Sequence, residues 1–85
     1  MHLYRCVEVL TVNPEYKKAL GERIRDLRNA RGLTQEQVSA QLQIRGCDIT
    51  RSALAKIEVG QRHVYADELK VFREVLNVSY EDLLI

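Results

Sequence analysis

Residues 32–60 contain two short helix patterns joined by a loop, and they read GLTQEQVSAQLQIRGCDITRSALAKIEVG. The first pattern begins at Thr34, whose hydroxyl can cap the helix while the glutamine side chain three residues later bonds back to the cap. The second pattern has Thr50 as its N-cap and Gly60 as its stop. The span therefore predicts two consecutive short helices with a loop between them.

The second helix pattern has two chemically different faces. At about 100° per residue, Ala53, Leu54 and Ile57 fall on one side, where they can pack against a core. The other side is polar and basic with one small residue, and it consists of Arg51, Ser52, Ala55 and Lys56. One face can therefore pack against a core, and the other has the donors needed to read the base edges of DNA.

Three further helices are predicted around this pair. The first has Asn13 as its cap and Pro14 as its first residue, and Gly32 ends it. Its buried stripe comprises Tyr16, Leu20, Ile24 and Leu27. Another helix begins near Ala66, and a last short one begins at Ser79. The helix near Ala66 carries apolar residues at helical spacing, namely Leu69, Phe72, Val75 and Leu76.

Residues 3–12 differ from this helical pattern. They are rich in β-branched and apolar side chains, which favours a strand, yet a lone strand has no partner in a helical domain. Pairing with another chain would supply one. The predicted organisation is therefore an N-terminal extended segment over residues 1–13, followed by one all-α domain over residues 14–85.

Charge is unevenly distributed along the chain, although the net charge is only +1. Residues 17–62 carry ten Lys or Arg against five Asp or Glu, whereas residues 63–85 carry two against five. A basic body with an acidic tail suits a protein that presents one surface to phosphates and another to a second partner. The alternative is that these charges lie on an ordinary solvated helix face.

Several classes of function lack support in the sequence. Cys6 and Cys47 lack the spacing of a metal site or redox pair, and His2 and His63 have no ligands at metal spacing. No nucleophile and base pairing or phosphate-binding glycine loop is apparent. No run approaches the ~20 apolar residues of a membrane span, and the N-terminus lacks a signal-peptide layout. We therefore expect a cytoplasmic protein with reduced thiols that is not an enzyme and has no metal, cofactor or membrane partner.

Four segments match, in order, the sequence pattern of a known family, and they are LGERIRDLR at residues 20–28, GLTQ at 32–35, IEVG at 57–60 and LNVS at 76–79. Together they resemble the helix-turn-helix family of phage repressors and Cro proteins, the XRE-type transcriptional regulators, over roughly residues 16–84. The resemblance implies a five-helix repressor-like helix-turn-helix domain, here preceded by a short extended N-terminal segment. It also implies double-stranded DNA as the partner.

Two departures from the family pattern lie between the two short helices. Ser39 stands where the family usually has alanine, and Gln43 stands where it has the turn glycine. The connection to the second helix is also several residues longer than the family's turn. We therefore expect a loop over residues 43–48 and a less fixed angle between the helices. If that loop tilts the second helix, Arg45 could take over a base contact.

The resemblance assigns roles to named side chains of the two short helices. It implies that the second helix lies in the major groove and reads bases with Arg51, Ser52, Ala55 and Lys56. The first helix would direct its N-terminus at the DNA backbone, where free amides and the helix dipole favour a phosphate. Phosphate contacts are expected from Thr34, Gln35, Arg31, Gln61 and Arg62.

Two further sets of residues are expected to have structural roles. The resemblance implies an ion pair between Arg28 and Glu58 that ties the long first helix to the end of the second short helix. The C-terminal residues look too apolar for a free end, which predicts a homodimer interface. This interface comprises Val78, Tyr80, Leu83, Leu84 and Ile85.

The sequence therefore predicts a sequence-specific DNA-binding protein, namely a transcriptional repressor that acts as a homodimer on a two-fold operator. The competing hypothesis is a helical protein-interaction module, such as an antitoxin or a phage-encoded inhibitor. That module would bind a protein partner through the acidic C-terminal tail or the N-terminal segment. The basic residues Arg51 and Lys56 favour DNA, because acidic or apolar residues at these positions would suit a protein partner better.

Overall fold

The computed structural model describes residues 14–84, which form five α-helices and no strand. The helices are α1 (Pro14–Ala30), α2 (Gln35–Ile44), α3 (Arg51–Glu58), α4 (Ala66–Leu76) and α5 (Tyr80–Leu84). The prediction of an all-α, five-helix domain is confirmed. The predictions made for residues 1–13 and for Ile85 lie outside the described residues.

Thr34 and Thr50 cap the two short helices, as the sequence predicted. The Thr34 hydroxyl accepts a hydrogen bond from the Gln37 amide at 3.0 Å, and the Thr34 amide donates to the Gln37 side chain at 2.8 Å. The Thr50 hydroxyl accepts from the Ala53 amide at 3.2 Å. These bonds satisfy polar groups that the start of a helix leaves open, so they fix where α2 and α3 begin.

α2 continues through two residues that the sequence assigned to the loop. Gln43 and Ile44 are helical, and the chain leaves the helix at Gly46, whose φ of 84° is left-handed. The Gly46 amide bonds to the Gln43 carbonyl and the Cys47 amide to the Leu42 carbonyl, which is a frequent way for a helix to end. The prediction of a loop starting at residue 43 is wrong, because glutamine lets the helix continue where the family's glycine would stop it.

The hydrophobic core is shared by all the described helices and by the segments that join them. Its buried apolar side chains are Leu20, Ile24, Val38, Leu42, Cys47, Ile49, Leu54, Ile57, Val64, Phe72, Val75, Leu76 and Leu83. Tyr16 and Leu27, also predicted for the buried stripe of α1, are only half-buried. Among residues 14–84, no helix is both long and apolar enough to cross a membrane.

α1 and α3 cross at Gly21 with almost no space between their backbones. A Cβ atom at this position would lie 2.0 Å from the carbonyl oxygen of Ile57. Only glycine therefore allows α1 to approach α3 this closely. The crossing fixes α3 against the longest helix of the fold.

α5 folds back onto α1 and covers much of the apolar end of the chain. Leu83 is 1% exposed, and Val78 and Leu84 are partly buried against the core. The Tyr16 hydroxyl donates to the Leu84 carbonyl at 3.1 Å. The expectation that the C-terminal hydrophobes are uncovered is therefore wrong for Leu83, because α5 packs within its own chain. Tyr80 is 42% exposed and remains accessible.

Candidate nucleic-acid interface

α3 presents a polar face to solvent. Arg51, Ser52 and Lys56 are exposed and Ala55 is half-buried, while the opposite face of the helix lies in the core. Within residues 14–84, the side chains of Arg51, Ser52 and Lys56 make no hydrogen bond or ion pair. Their polar groups are therefore available to an external partner.

The guanidinium of Arg51 differs from every other one in residues 14–84. Each of the others donates to a carbonyl, pairs with a carboxylate or lies over an aromatic ring, and these are Arg23, Arg25, Arg28, Arg31, Arg45, Arg62 and Arg73. A guanidinium is a planar group with five donors in a fixed fork. Because the described residues offer the guanidinium of Arg51 no partner, it can bind a planar bidentate acceptor, such as the edge of a guanine.

Arg51 also borders a concave surface at the start of α2. Besides Arg51, three segments line this surface, namely the end of α1, the turn after it and the first turn of α2. Their lining residues are Arg28, Asn29, Gly32, Leu33, Thr34, Gln35 and Glu36. The N-terminus of a helix carries open amides and the positive end of the helix dipole. An extended anion can therefore contact α2 and Arg51 together.

Gln35 and Arg31, which the sequence assigned to phosphate contacts, already have protein partners. The Gln35 side chain donates to Glu58 at 3.0 Å, and Arg31 donates to the Leu76 carbonyl at 3.1 Å. Both bonds join residues more than 20 positions apart in the chain. No local sequence pattern could have indicated them.

Arg62 is also engaged within the protein, whereas Thr34 and Gln61 are exposed. Two nitrogens of Arg62 donate to the two carboxylate oxygens of Glu68, at 3.1 and 3.0 Å. This hydrogen bonding raises the pKa of Arg62 above its usual value, although burial opposes the shift. Thr34 and Gln61 are thus the more accessible residues of the set predicted to contact phosphates.

Glu58 is a buried carboxylate that joins α1, α2 and α3. Arg28 donates to both of its oxygens, at 2.7 Å from Nε and 2.9 Å from Nη2, and Gln35 donates to one of them. The exposed fraction of the side chain is 2% for Glu58 and 12% for Arg28. The ion pair implied by the resemblance is therefore present, and Gln35 is a third member that the sequence did not reveal. This cluster holds together the helices that border the concave surface.

Ser39 and Gln43 fix the loop between α2 and α3. The Ser39 hydroxyl donates to the Ile49 carbonyl at 2.8 Å. The Gln43 amide donates to the same carbonyl at 3.3 Å and to the Ser39 hydroxyl oxygen at 3.2 Å. The departures from the family pattern led us to expect a less fixed helix angle. The structure instead shows that these two side chains bind the loop to α2.

Arg45 and Cys47 are two further residues of this loop, the first exposed and the second buried. Arg45 donates to the backbone and side-chain oxygens of Gln41, at 3.3 and 2.7 Å, so its guanidinium is held on α2. Cys47 is a buried free thiol, and burial raises its pKa. Throughout residues 14–84, no three His, Cys, Asp or Glu side chains form a group that could hold a metal ion.

Comparison with known proteins agrees with the helix-turn-helix arrangement of α2 and α3. The family model described as a helix-turn-helix domain matches residues 21–85. A comparison with curated proteins gives no match.

Similar solved structures include the restriction-modification controller protein C.AhdI from Aeromonas hydrophila, which is 32% identical with a TM-score of 0.67, over 78% of this chain and 92% of that one. The DNA-binding domain of BldD is 27% identical with a TM-score of 0.74, over 87% and 100%. The clp gene regulator ClgR from C. glutamicum, at 24% identity, shares the fold with a TM-score of 0.72, over 80% and 81%. The chain has the fold of these proteins, and it belongs to the helix-turn-helix domain family.

Proposed function

We propose that this protein is a sequence-specific double-stranded DNA-binding regulator of transcription and that α3 is the helix that reads the bases. The observation that carries the proposal is the guanidinium of Arg51, which lies at the exposed start of α3 and has no partner in the part of the chain that the structure describes. Its position beside the N-terminus of α2 supports the proposal, because base and phosphate contacts then lie side by side. Membership of the helix-turn-helix family and the likeness to the DNA-binding domain of BldD also support it.

In this proposal the N-terminal half of α3 lies in the major groove. Arg51 donates to O6 and N7 of a guanine, and the Ser52 hydroxyl bonds to a neighbouring base. Lys56, one turn further on, donates to a guanine or a phosphate, and the methyl group of Ala55 contacts a thymine methyl. The protein acts by binding and carries out no catalysis.

Phosphate contacts position α3 on the duplex in this proposal. The N-terminus of α2 binds one phosphate through its open amides, and Thr34 adds a hydroxyl donor there. Gln61, which is exposed and follows α3, contacts a second phosphate of the DNA backbone. Gln35, Arg31 and Arg62 can contribute only with groups that their protein partners leave free.

We further propose that the protein is a repressor that binds a two-fold operator as a homodimer. One helix reads too few base pairs for specificity in a genome, and two symmetric copies double the sequence that is read. Tyr80 on α5 is the most exposed described residue of the predicted dimer surface, and the Arg73 guanidinium lies over one face of its ring. C.AhdI is described as a controller of a restriction-modification system, which supports a regulatory role.

Selection of bound sites from a random duplex pool tests the proposed function. We expect a preferred half-site that occurs twice with two-fold symmetry. Affinity for random duplex should fall by about 10³ or more between 50 and 200 mM salt if six or more phosphates are contacted. Absent binding, or binding that salt does not weaken, would contradict the proposal and favour a protein-interaction module instead.

A further inference from the structure

The loop that leads into α3 is attached to α2 at two places, by the Cys47 amide near its start and by the Ile49 carbonyl at its end. The Ile49 carbonyl is the attachment nearer to α3. Ser39 and Gln43 both donate to it, and Gln43 also donates to the Ser39 hydroxyl, so the three groups form a closed set of hydrogen bonds. Ile49 immediately precedes the N-cap Thr50, and Arg51 is the next residue and the first of α3. The attachment therefore lies two residues before the side chain that we propose reads a base.

The core and the attachment constrain different parts of α3. Leu54 and Ile57 are buried in the middle and second half of the helix, and Glu58 holds its end. The buried side chain of Ile49 also anchors the loop, but it leaves the orientation of its own peptide plane open. Hydrogen bonds to its carbonyl fix that plane, and with it the direction in which the chain enters Thr50.

We propose that Ser39 and Gln43 are positioning residues that set the base selectivity of α3. The inference rests on the proposed function of α3 in DNA reading and adds a determinant that lies on α2. The carbonyl of Ile49 is buried, so it cannot exchange a lost donor for water without local rearrangement. Loss of the donors therefore reorients the first turn of α3 and moves Arg51 relative to its base. The proposed phosphate contacts lie at the N-terminus of α2, away from Gln43 near its C-terminus, and they keep their geometry.

Gln43→Glu is the informative variant, because it preserves the shape of the side chain but removes the amide donor. Gln41→Glu is its matched control, since it makes the same change of charge on the same helix. Among the described residues, the Gln41 side chain bonds only to Arg45, as an acceptor, and a carboxylate retains this role. Any general loss of DNA affinity through the added negative charge should therefore be common to both variants.

The measurement is the ratio of affinities for the selected site and for random duplex of equal length. We expect Gln43→Glu and Ser39→Ala to lower this ratio about five- to tenfold, because a displaced Arg51 loses one or two hydrogen bonds to its base that are made only in the specific complex. Gln41→Glu should leave the ratio unchanged. Unchanged ratios for Gln43→Glu and Ser39→Ala, with the parent protein still selective, would overturn the inference but not the proposed function.

A second measurement needs no DNA and separates positioning from general destabilisation. The Leu54 amide donates to the Thr50 carbonyl at 2.9 Å and closes the first turn of α3, so its hydrogen exchange reports opening of that turn. We expect exchange at Leu54 to accelerate at least fivefold in Gln43→Glu relative to Gln41→Glu, while exchange in α4 stays the same. Equal exchange in the two variants, or equal acceleration throughout the domain, would overturn the inference. A parent protein that binds no duplex would overturn it together with the proposed function.

Discussion

Glu58 and Arg51 lie at opposite ends of α3 and have opposite surroundings. Glu58 is buried and accepts hydrogen bonds from Arg28 and Gln35. Arg51 is exposed and has no partner within residues 14–84. The first side chain therefore stabilises the fold, whereas the second is left for a ligand. Two substitutions distinguish these roles.

Glu58→Ala should destabilise the protein strongly, because it leaves the Arg28 guanidinium poorly solvated and without its carboxylate. We expect the free energy of unfolding to fall by about 3–5 kcal/mol, as for a broken buried ion pair. Urea denaturation measures this change. Arg25→Ala is the control, since its pair with Asp26 is exposed and 3.9 Å long, and it should cost less than about 1 kcal/mol. Similar losses of stability for both variants would show that the buried ion pair of Glu58 contributes little to the free energy of unfolding.

Arg51→Ala should leave stability unchanged and weaken specific DNA binding. We expect a loss of about 1–3 kcal/mol per half-site and relaxed preference mainly at one base pair, because a bidentate base contact is removed. Site selection with the variant measures the preference. Equal weakening on specific and random duplexes would mean that Arg51 contacts only phosphate. In that case the residue assignment fails while DNA binding stands.

The sequence predicted which side chains have the chemistry to contact DNA better than it predicted which of them are free of protein partners. Arg51 could be assigned to the exposed face of α3 because helical periodicity determines which way it points. The same reasoning could not show that Gln35 and Arg62 are engaged. Gln35 donates to a residue 23 positions away, and Arg62 faces a carboxylate on the next helix. Such pairings depend on how helices pack, and a local pattern does not contain this information.

At the scale of helices, starts were easier to predict than ends. Thr34 and Thr50 cap α2 and α3 through bonds within three residues, so the local sequence suffices. The end of α2 was misplaced, because the prediction followed the family pattern, which has a turn glycine where Gln43 stands. Glutamine lets the helix continue, and Gly46 ends it. The hydrogen bonds of Ser39 to the loop could not be predicted either, since a family pattern with alanine at this position suggests no donor.

Gly21→Ala should destabilise the packing of α1 against α3. Alanine favours the helix by about 1 kcal/mol over glycine, but its Cβ would lie 2.0 Å from the Ile57 carbonyl oxygen. The backbones must therefore move apart. We expect the free energy of unfolding, measured by urea denaturation, to fall by about 1–3 kcal/mol.

Gly32→Ala is a useful comparison for Gly21→Ala. A Cβ added at Gly32 meets no atom of the described residues within 4 Å, so the left-handed backbone at φ 70° is what opposes alanine there. We expect this strain to lower the free energy of unfolding by roughly 1–2 kcal/mol. The readout is the ratio of affinities for specific and random duplex, because Gly32 lines the concave surface and its substitution can weaken phosphate contacts on both duplexes. Only Gly21→Ala displaces α3, so only this variant should lower the ratio. Full selectivity in a folded Gly21→Ala protein would show that α3 tolerates the displacement.

At the scale of the whole molecule, the distribution of charge agrees with the proposed orientation on DNA. The basic residues are concentrated in residues 17–62, which contain α2 and α3, and the acidic excess lies in residues 63–85. The acidic part is therefore expected to face away from the phosphates. α5 belongs to this part, and it uses Leu83 to complete the core of its own chain. Of the hydrophobic residues predicted for the dimer surface, Tyr80 is the most exposed one described.

A homodimer that reads a two-fold operator should be sensitive to the spacing of the half-sites. If the two α3 helices enter successive major grooves on one side of the duplex, the half-site centres lie about 10–10.5 base pairs apart. Inserting about five base pairs between them rotates one half-site by half a turn, and it should abolish two-site binding. Gel-shift titration should then show only the affinity of a single half-site, whereas inserting a full turn restores the angular alignment. Tyr80→Asp should weaken binding to the unaltered operator in the same way, because it places a charge in the proposed interface. Spacing-independent affinity would mean that each copy binds alone, and the homodimer proposal would then fail.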